Sequence, residues 1–332
     1  MDNRQVFQNV LNNFRKYSFS ERDKGDRFER LVQAYFRTDP KYADQLSEVW
    51  LWNDFPSRKD FGGKDTGIDL VAKTRNGDYW AIQCKCLQEN TLIDKPAVDT
   101  FLSTSGKDFT GDNLQTVRFS NRFWVSTTNN WGSNAEQSIQ NQNPQVTRIN
   151  LHELEEAPVI WEDLEKGIYG EKARLPKKKA FEHQKIAISN TIEYFKTADR
   201  GKLIMACGTG KTFTSLKIAE QQTNGNGLIL FLVPSIALLG QSLNEWYAEA
   251  DVPINAICIC SDPEVSRKKA KKEDTEDISI VDLALPASTN VKDIVKQFKQ
   301  FEATGLPGMT VVFSTYQSIE VIANFYYKQI TS

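Results

Sequence analysis

"GIDLVAKTRNGDYWAIQCKC", residues 67–86, decides the fold of the first half of the chain. Two runs of alternating apolar residues flank Asn76-Gly77, a pair that favours a tight turn, so the stretch predicts a β-hairpin. Side chains alternate across a strand, which places Gln83 and Lys85 on one face of the second run and Ile82, Cys84 and Cys86 on the other. Asp69 stands between Ile68 and Leu70, and the turn folds it towards the polar pair. A carboxylate, an amide and an ammonium converging among core residues are costly to bury unless something is bound there. A divalent cation fits, Mg²⁺ above all, because it prefers hard oxygen ligands, keeps several waters and often takes only one or two carboxylates. Its bound water or hydroxide is a nucleophile, and a lysine beside it stabilises charge developing on a phosphate. The chemistry implied is phosphodiester hydrolysis.

Working outward, Val6, Phe7, Val10, Leu11 and Phe14 hold one face of a helix. A second helix enters at Ser20, where "SERD" resembles a capping box with Asp in place of Glu, and Phe28, Leu31, Val32, Tyr35 and Phe36 form its stripe with Glu29 at the edge. Strand-like runs "SEVWLW" and "RFWVST" complete a mixed α/β domain over residues 1–165. Asp60, Asp65 and Asp78 read as turn or surface acids, with Asp65 the first of them to consider at the site. Residues 166–180 form a basic connector. Its Lys172, Arg174, Lys177, Lys178 and Lys179 either track DNA phosphates or simply keep a linker solvated. In residues 181–332 strands and helices alternate ("GKLIMAC", "GLILFLVP", "NAICICS", "MTVVFSTY"), which predicts a parallel sheet with helices on both faces. "RKKAKKEDTED", residues 267–277, reads as a solvated insertion.

With 332 residues, 40% hydrophobic and 25% charged, the chain has room for two cores. It has neither the apolar block of a signal peptide nor a run long enough to cross a bilayer, so it reads as cytoplasmic. Five cysteines without a Cys-x2-Cys ladder point to neither a disulfide framework nor a structural zinc. A net charge of -2 excludes a surface coated in base for polyanions, although a binding groove needs only local positive charge.

"LIMACGTGKTFTSLKIAE", residues 203–220, carries the second constellation: a strand, "GTGKT", and a helix with apolar periodicity. That context suits ATP phosphates. Gly208, Thr209 and Gly210 turn the backbone so that N–H groups point inward, and the helix N-terminus adds partial positive charge. Lys211 is placed to reach the β- and γ-phosphates and Thr212 to bind Mg²⁺. Met205 stands where the first glycine of the usual pattern belongs.

These residues resemble known families. An acid followed, about a dozen residues on, by (D/E/Q)-x-K resembles the PD-(D/E)xK nucleases, and "GxDLVA…IQCK" resembles their Mrr-like branch, in which glutamine replaces the second acid. "KGDRFERLVQAYF" is similar to that branch's first helix, and "FWVSTTNNW" at 123–131 to its closing strand and loop. The resemblance implies Asp69 as principal metal ligand, Gln83 as a weaker ligand or water-orienting group, Lys85 as catalytic lysine and Glu29 as an outer acid. "ACGTGKT" is similar to the phosphate-binding loop of superfamily 2 helicases and translocases. "AFEHQ" resembles their Q motif, which implies that Gln184 reads adenine. "LVPSIALLGQ" at 232–241 and "VVFSTYQSI" at 311–319 resemble DNA-contacting motifs, implying phosphate contacts from Ser235, Ser314 and Thr315 unless these serve as structural caps. The Asp-Glu box that should follow is not the "KEDTED" cluster, which trails a lysine-rich run, so the sequence reads as an incomplete RecA-like domain within a longer protein. Weak nucleotide binding without effective hydrolysis is the expectation for this part alone.

The order of the two domains resembles the single-polypeptide Type I (Type ISP) restriction-modification enzymes. That resemblance implies a bacterial phage-defence enzyme that uses ATP to translocate double-stranded DNA and cuts it far from the recognition site. It also implies downstream methyltransferase and target-recognition domains, with S-adenosylmethionine serving that half. Two other readings stay open: the nuclease fold is an inactive DNA clamp for a helicase, or the RecA-like domain senses ATP without stepping.

Overall fold

The computed structural model describes residues 2–62, 67–260 and 279–330, and the chain divides into two compact units. Asp65 and the 267–277 insertion with its "KEDTED" cluster lie outside the described residues.

The first unit comprises residues 1–175 together with Val281–Pro286. Its helices are α1 (Asn3–Tyr17), α2 (Glu21–Phe36), α3 (Pro40–Ala43), α4 (Lys95–Ser105), α5 (Ser133–Ile139), α6 (Leu151–Glu155) and α7 (Trp161–Glu165). Its strands are β1 (Leu46–Leu51), β2 (Leu70–Thr74), β3 (Tyr79–Lys85), the short pair β4 (Phe109–Thr110) and β5 (Thr116–Val117), β6 (Phe119–Ser126) and β7 (Val146–Ile149). The main sheet runs β1-β2-β3-β6-β7, antiparallel across the first three strands and parallel from β3 onward. The 67–86 stretch is the expected hairpin. Gly77 takes φ +86°, and Thr74 N donates to Asp78 O (2.8 Å) to close the turn. The Ser20 hydroxyl caps α2 by accepting from Asp23 N at 3.1 Å, and all five residues of the predicted stripe are buried. One core gathers Phe55, Phe61, Phe109 and Phe119 as tilted and edge-on rings, and β3 carries Ile82 and Ala81 fully buried at its centre. Each large apolar side chain sealed in this way contributes about 1.5–3 kcal/mol.

The connector is not a free linker throughout. Residues 166–175 pack into the first unit: Arg174 donates to Thr38 O (2.8 Å) and pairs with Asp44 (3.1 Å).

The second unit comprises residues 176–280 and 287–332. Its strands β8 (Leu228–Val233), β9 (Ile254–Ile259) and β10 (Met309–Thr315) form a parallel sheet in the order β8-β10-β9. Its helices are α8 (Glu182–Tyr194), α9 (Lys211–Thr223), α10 (Ile236–Glu249), α11 (Val291–Thr304) and α12 (Ile319–Ile330). Both faces are covered as parallel sheets require. Trp246 of α10 packs on Phe231 and Phe313, while Val312, on the opposite face of β10, clusters with Phe298 and Phe325 of α11 and α12. The predicted strand "GKLIMAC" differs: Gly201–Ala206 form no strand, and Leu203 and Ile204 are exposed. A strand needs a neighbour to take its backbone hydrogen bonds, and among the described residues no backbone hydrogen bond links this segment to a strand. Nor is any helix among the described residues long and apolar enough to cross a membrane.

Candidate active site

Register brings the first constellation together. β2 and β3 pair antiparallel with Leu70 opposite Ile82, so Asp69, just before β2, stands across from Gln83. Its backbone is tied on both sides, with Asp69 N donating to Ile82 O (2.9 Å) and Trp52 N donating to Asp69 O (2.7 Å). Its carboxylate oxygen Oδ2 accepts from the Gln83 amide and from Cys84 N, the latter at 2.6 Å. Gln83 is buried, and Lys85 follows half-buried at the end of β3. Glu29 is half-buried on α2, the helix packed against β1 and β3.

Cys84 reports the charges around it. Burial pushes its thiol well above the ordinary range, the carboxylates of Asp69 and Glu29 push it further, and Lys85 acts in the opposite sense. All three charged candidates therefore share one electrostatic neighbourhood. The thiol itself stays protonated and inert.

Two residues that sequence reading passed over complete the site. The backbone N–H of Cys84 aims Asp69, a role no side-chain pattern reveals. Gly67 takes φ +74°, and a Cβ there would lie 3.2 Å from Thr100 Cγ2 of α4 and 3.4 Å from Gln83 Oε1. The signal was present in the spacing Gly-x-Asp. Among the described residues no group of three or more His, Cys, Asp or Glu side chains converges as a metal cage. The oxygens on offer are those of Asp69 and the Cys84 carbonyl; Gln83 turns its amide nitrogen to both, reaching Cys84 O at 3.4 Å, so its own oxygen joins them only with the amide turned over. Hard oxygens with a single carboxylate fit Mg²⁺, which retains waters, and fit poorly to softer metals.

In the second unit the phosphate loop is built locally. Gly208 and Gly210 take φ +75° and +77°, and Gly210 caps α9, whose first residues are Lys211 and Thr212. Gln184, nine-tenths or more buried, braces the loop: its Oε1 accepts from Phe181 N (2.8 Å) and its Nε2 donates to Thr209 O (3.0 Å). An amide has a second N–H and a second lone pair, so this leaves a donor and an acceptor for a base. His183 also reaches Thr209 O at 3.2 Å. Lys211 is exposed and donates to Ala206 O at 3.1 Å, folded over its own loop.

The expected DNA contacts fare unevenly. Ser235 is exposed at the N-terminus of α10, where its hydroxyl accepts from Leu238 N at 3.3 Å, the structural cap that the sequence had left open. Ser314 is a correction: it is fully buried on β10 and donates to Ile259 O at 2.7 Å, so its hydroxyl does not face a phosphate. Thr315 is likewise buried, within 3.4 Å of Ser318 Oγ. Both sit on the central strand of a sheet covered on both faces. Lys177 donates to Ala250 O and lies 3.9 Å from Asp251, and Lys178 faces Glu249 at 3.5 Å, so these two cations point at acids of their own unit. Lys179 lines a cleft of about 500 Å³ with Lys178, Lys185 and Lys217.

Residues 37–171 match a family of Mrr-type catalytic domains described as "Restriction endonuclease", and residues 177–330 match "Type III restriction enzyme, res subunit". Two family matches therefore follow one another along the chain, a restriction endonuclease domain and then a helicase-like domain. It is similar over 98% of its length to a solved structure, "ATP-dependent Type ISP restriction-modification enzyme LlaBIII bound to DNA", at 32% identity and a TM-score of 0.77, and it covers 19% of that chain. A nuclease-deletion mutant of the Type ISP enzyme LlaGI, in complex with a DNA substrate mimic, matches 46% of this chain and 14% of its own at 43% identity, with a TM-score of 0.38. No curated protein matches. In fold the chain is similar to that part of the LlaBIII structure, and it spans about a fifth of the length of the LlaBIII chain.

Proposed function

We propose that this chain performs the cutting, and begins the ATP-driven movement, of a restriction-modification enzyme that acts on double-stranded DNA. The observation that carries the reading is the direct pairing of Asp69 with Gln83 one alternation before Lys85, on strands that register holds fixed. Asp69, with Gln83 once its amide is turned over, would hold Mg²⁺, which when bound would supply an activated water for phosphodiester hydrolysis. Cys84 N–H holds the Asp69 carboxylate in place. Lys85 would offer positive charge towards a bound phosphate, and Glu29 would add negative charge at the edge of the site.

In the second unit Gly208, Thr209, Gly210, Lys211 and Thr212 would cradle the ATP phosphates and their Mg²⁺, with Gln184 reading the base. Ser235 and Lys179 remain as the contacts offered to DNA. Within a longer polypeptide, the Asp-Glu box, a second RecA-like domain, and methyltransferase and target-recognition domains using S-adenosylmethionine would complete the enzyme in the bacterial cytoplasm.

A second reading has its own support. Asp69 Oδ2 already accepts two N–H groups, and an amide replaces the second acid, which suits an inactive DNA clamp. Lys85→Ala separates the two. The proposal expects Mg²⁺-dependent nicking of plasmid DNA to fall on the order of 10²–10³-fold with DNA affinity unchanged. No nicking by either protein favours the clamp, and equal nicking by both removes Lys85 from the cutting site.

A further inference from the structure

Val281–Pro286 lies within the stretch matched to the res-subunit family, yet it is built into the nuclease unit. Val281 joins the core that contains Trp124, Phe101 and Ile139, and Leu283, Ala284 and Leu285 are buried. The Tyr42 hydroxyl donates to Ala284 O at 3.1 Å. Asp282 receives a two-pronged grip from Arg148 of β7, Nε to Oδ1 and Nη2 to Oδ2, each 2.7 Å. Directly after the segment, Ala287 pairs with Cys258 of β9, and Ser288 N donates to Cys258 O at 3.0 Å, so the chain rejoins the second unit's sheet at once.

Arg148 leads from this segment to the active-site strand. Its guanidinium also binds Glu136 (3.0 Å) and lies over the Trp131 ring, 5.1 Å from the centroid. Burial works against the Arg148 charge, and Asp282 and Glu136 outweigh it, leaving the guanidinium above its ordinary range. Trp131 ends the loop 127–131, which grips the backbone that follows Lys85. Thr127 N donates to Lys85 O (3.1 Å), the Thr127 hydroxyl holds both Leu87 N and Leu87 O, and the Thr128 hydroxyl donates to Glu89 O (2.7 Å) and Thr91 O (2.9 Å). Ile93 N donates to Asn130 O at 3.0 Å.

We propose that Asp282 is a positioning residue for DNA cutting. Through Arg148 and the loop 127–131 it fixes the backbone after Lys85, so that the nuclease site is set only while the segment 281–286 is docked. The inference rests on the cleavage reading above and adds to it a device by which the ATPase sequence governs the nuclease. Buried ion pairs that are broken from one side leave an uncompensated charge, which makes Arg148 sensitive to the loss of Asp282.

The test uses the full-length enzyme with Asp282→Asn, compared with wild type and with Lys85→Ala. Asp282→Asn is expected to slow cutting about tenfold, the size of effect that such networks transmit. DNA binding and DNA-stimulated ATP hydrolysis should hold at wild-type levels, and amide hydrogen exchange in 86–93 and 127–132 should accelerate. Lys85→Ala should lose cutting with exchange in those segments unchanged. Wild-type exchange and wild-type cutting in Asp282→Asn would overturn the proposal. A parallel fall in ATP hydrolysis would also overturn it, by revealing general damage. If Asp282→Asn fails to fold, Arg148→Lys keeps the charge, loses the two-pronged grip and is read the same way. Cutting by Lys85→Ala at the wild-type rate would instead sink the cleavage site itself.

Discussion

The two units place their chemistry in opposite ways. In the nuclease unit the site exists only because two strands and a helix meet: Asp69 finds Gln83 through cross-strand register, and Glu29 arrives on α2. In the ATP-binding unit the loop is made by neighbours in sequence, two glycines at positive φ followed at once by a helix, and it holds its shape although Gly201–Ala206 beside it form no strand. A site set by register stands or falls with the sheet, whereas one set by local turn chemistry tolerates an open edge.

The largest effect that sharpens this contrast should come from Lys211→Ala. Losing a charge-assisted contact should weaken ATP binding in a nucleotide titration on the order of 10- to 100-fold, while Mg²⁺-dependent nicking assayed without translocation stays intact. Gly210→Ala comes next. The added Cβ would stand 2.4 Å from Gln184 Nε2 at a φ of +77°, so ATP affinity should drop about tenfold from strain of roughly 1–2 kcal/mol. Gly25 of α2 is the control from the other unit, with open space around its Cβ position: Gly25→Ala should raise stability by about 0.5–1 kcal/mol in urea unfolding. Ser314→Ala should cost the second unit roughly 1 kcal/mol of stability and leave DNA affinity alone, whereas a DNA-contacting serine would do the reverse.

The smallest effect is alkaline. Burial raises the Cys84 and Cys86 thiols in the first unit and the Cys258 thiol in the second. Their folded-state values lie above the unfolded 9.0, so this contribution is fully present below pH 9 and is lost as pH rises beyond it. Thermal unfolding followed from pH 8 to 10 should show a modest decline, and exposed Cys207 should react with a thiol reagent long before Cys84 does.

The hairpin, the helix stripes and both motif loops were legible because each rests on periodicity or on residues within a few positions. Asp69, Gln83 and Lys85 could be placed since a turn of known type fixes which residues face one another. Ser314 could not: in a parallel strand covered on both sides, alternation no longer separates exposed from buried positions, and a hydroxyl satisfied by Ile259 O looks the same in sequence as one offered to DNA. The segment 281–286 was invisible for a different reason. "VDLALP" following a charged run carries no local sign that its partner is Arg148, 134 residues earlier.

The most direct test is Asp69→Asn in the full-length enzyme, assayed on supercoiled plasmid across a Mg²⁺ titration. Asparagine keeps an oxygen to accept from Cys84 N, so the hairpin should survive while the carboxylate facing Gln83 is gone. The prediction is no cutting at any Mg²⁺ concentration, with DNA binding and ATP hydrolysis at wild-type levels. Cutting at the wild-type rate would contradict the assignment of this site.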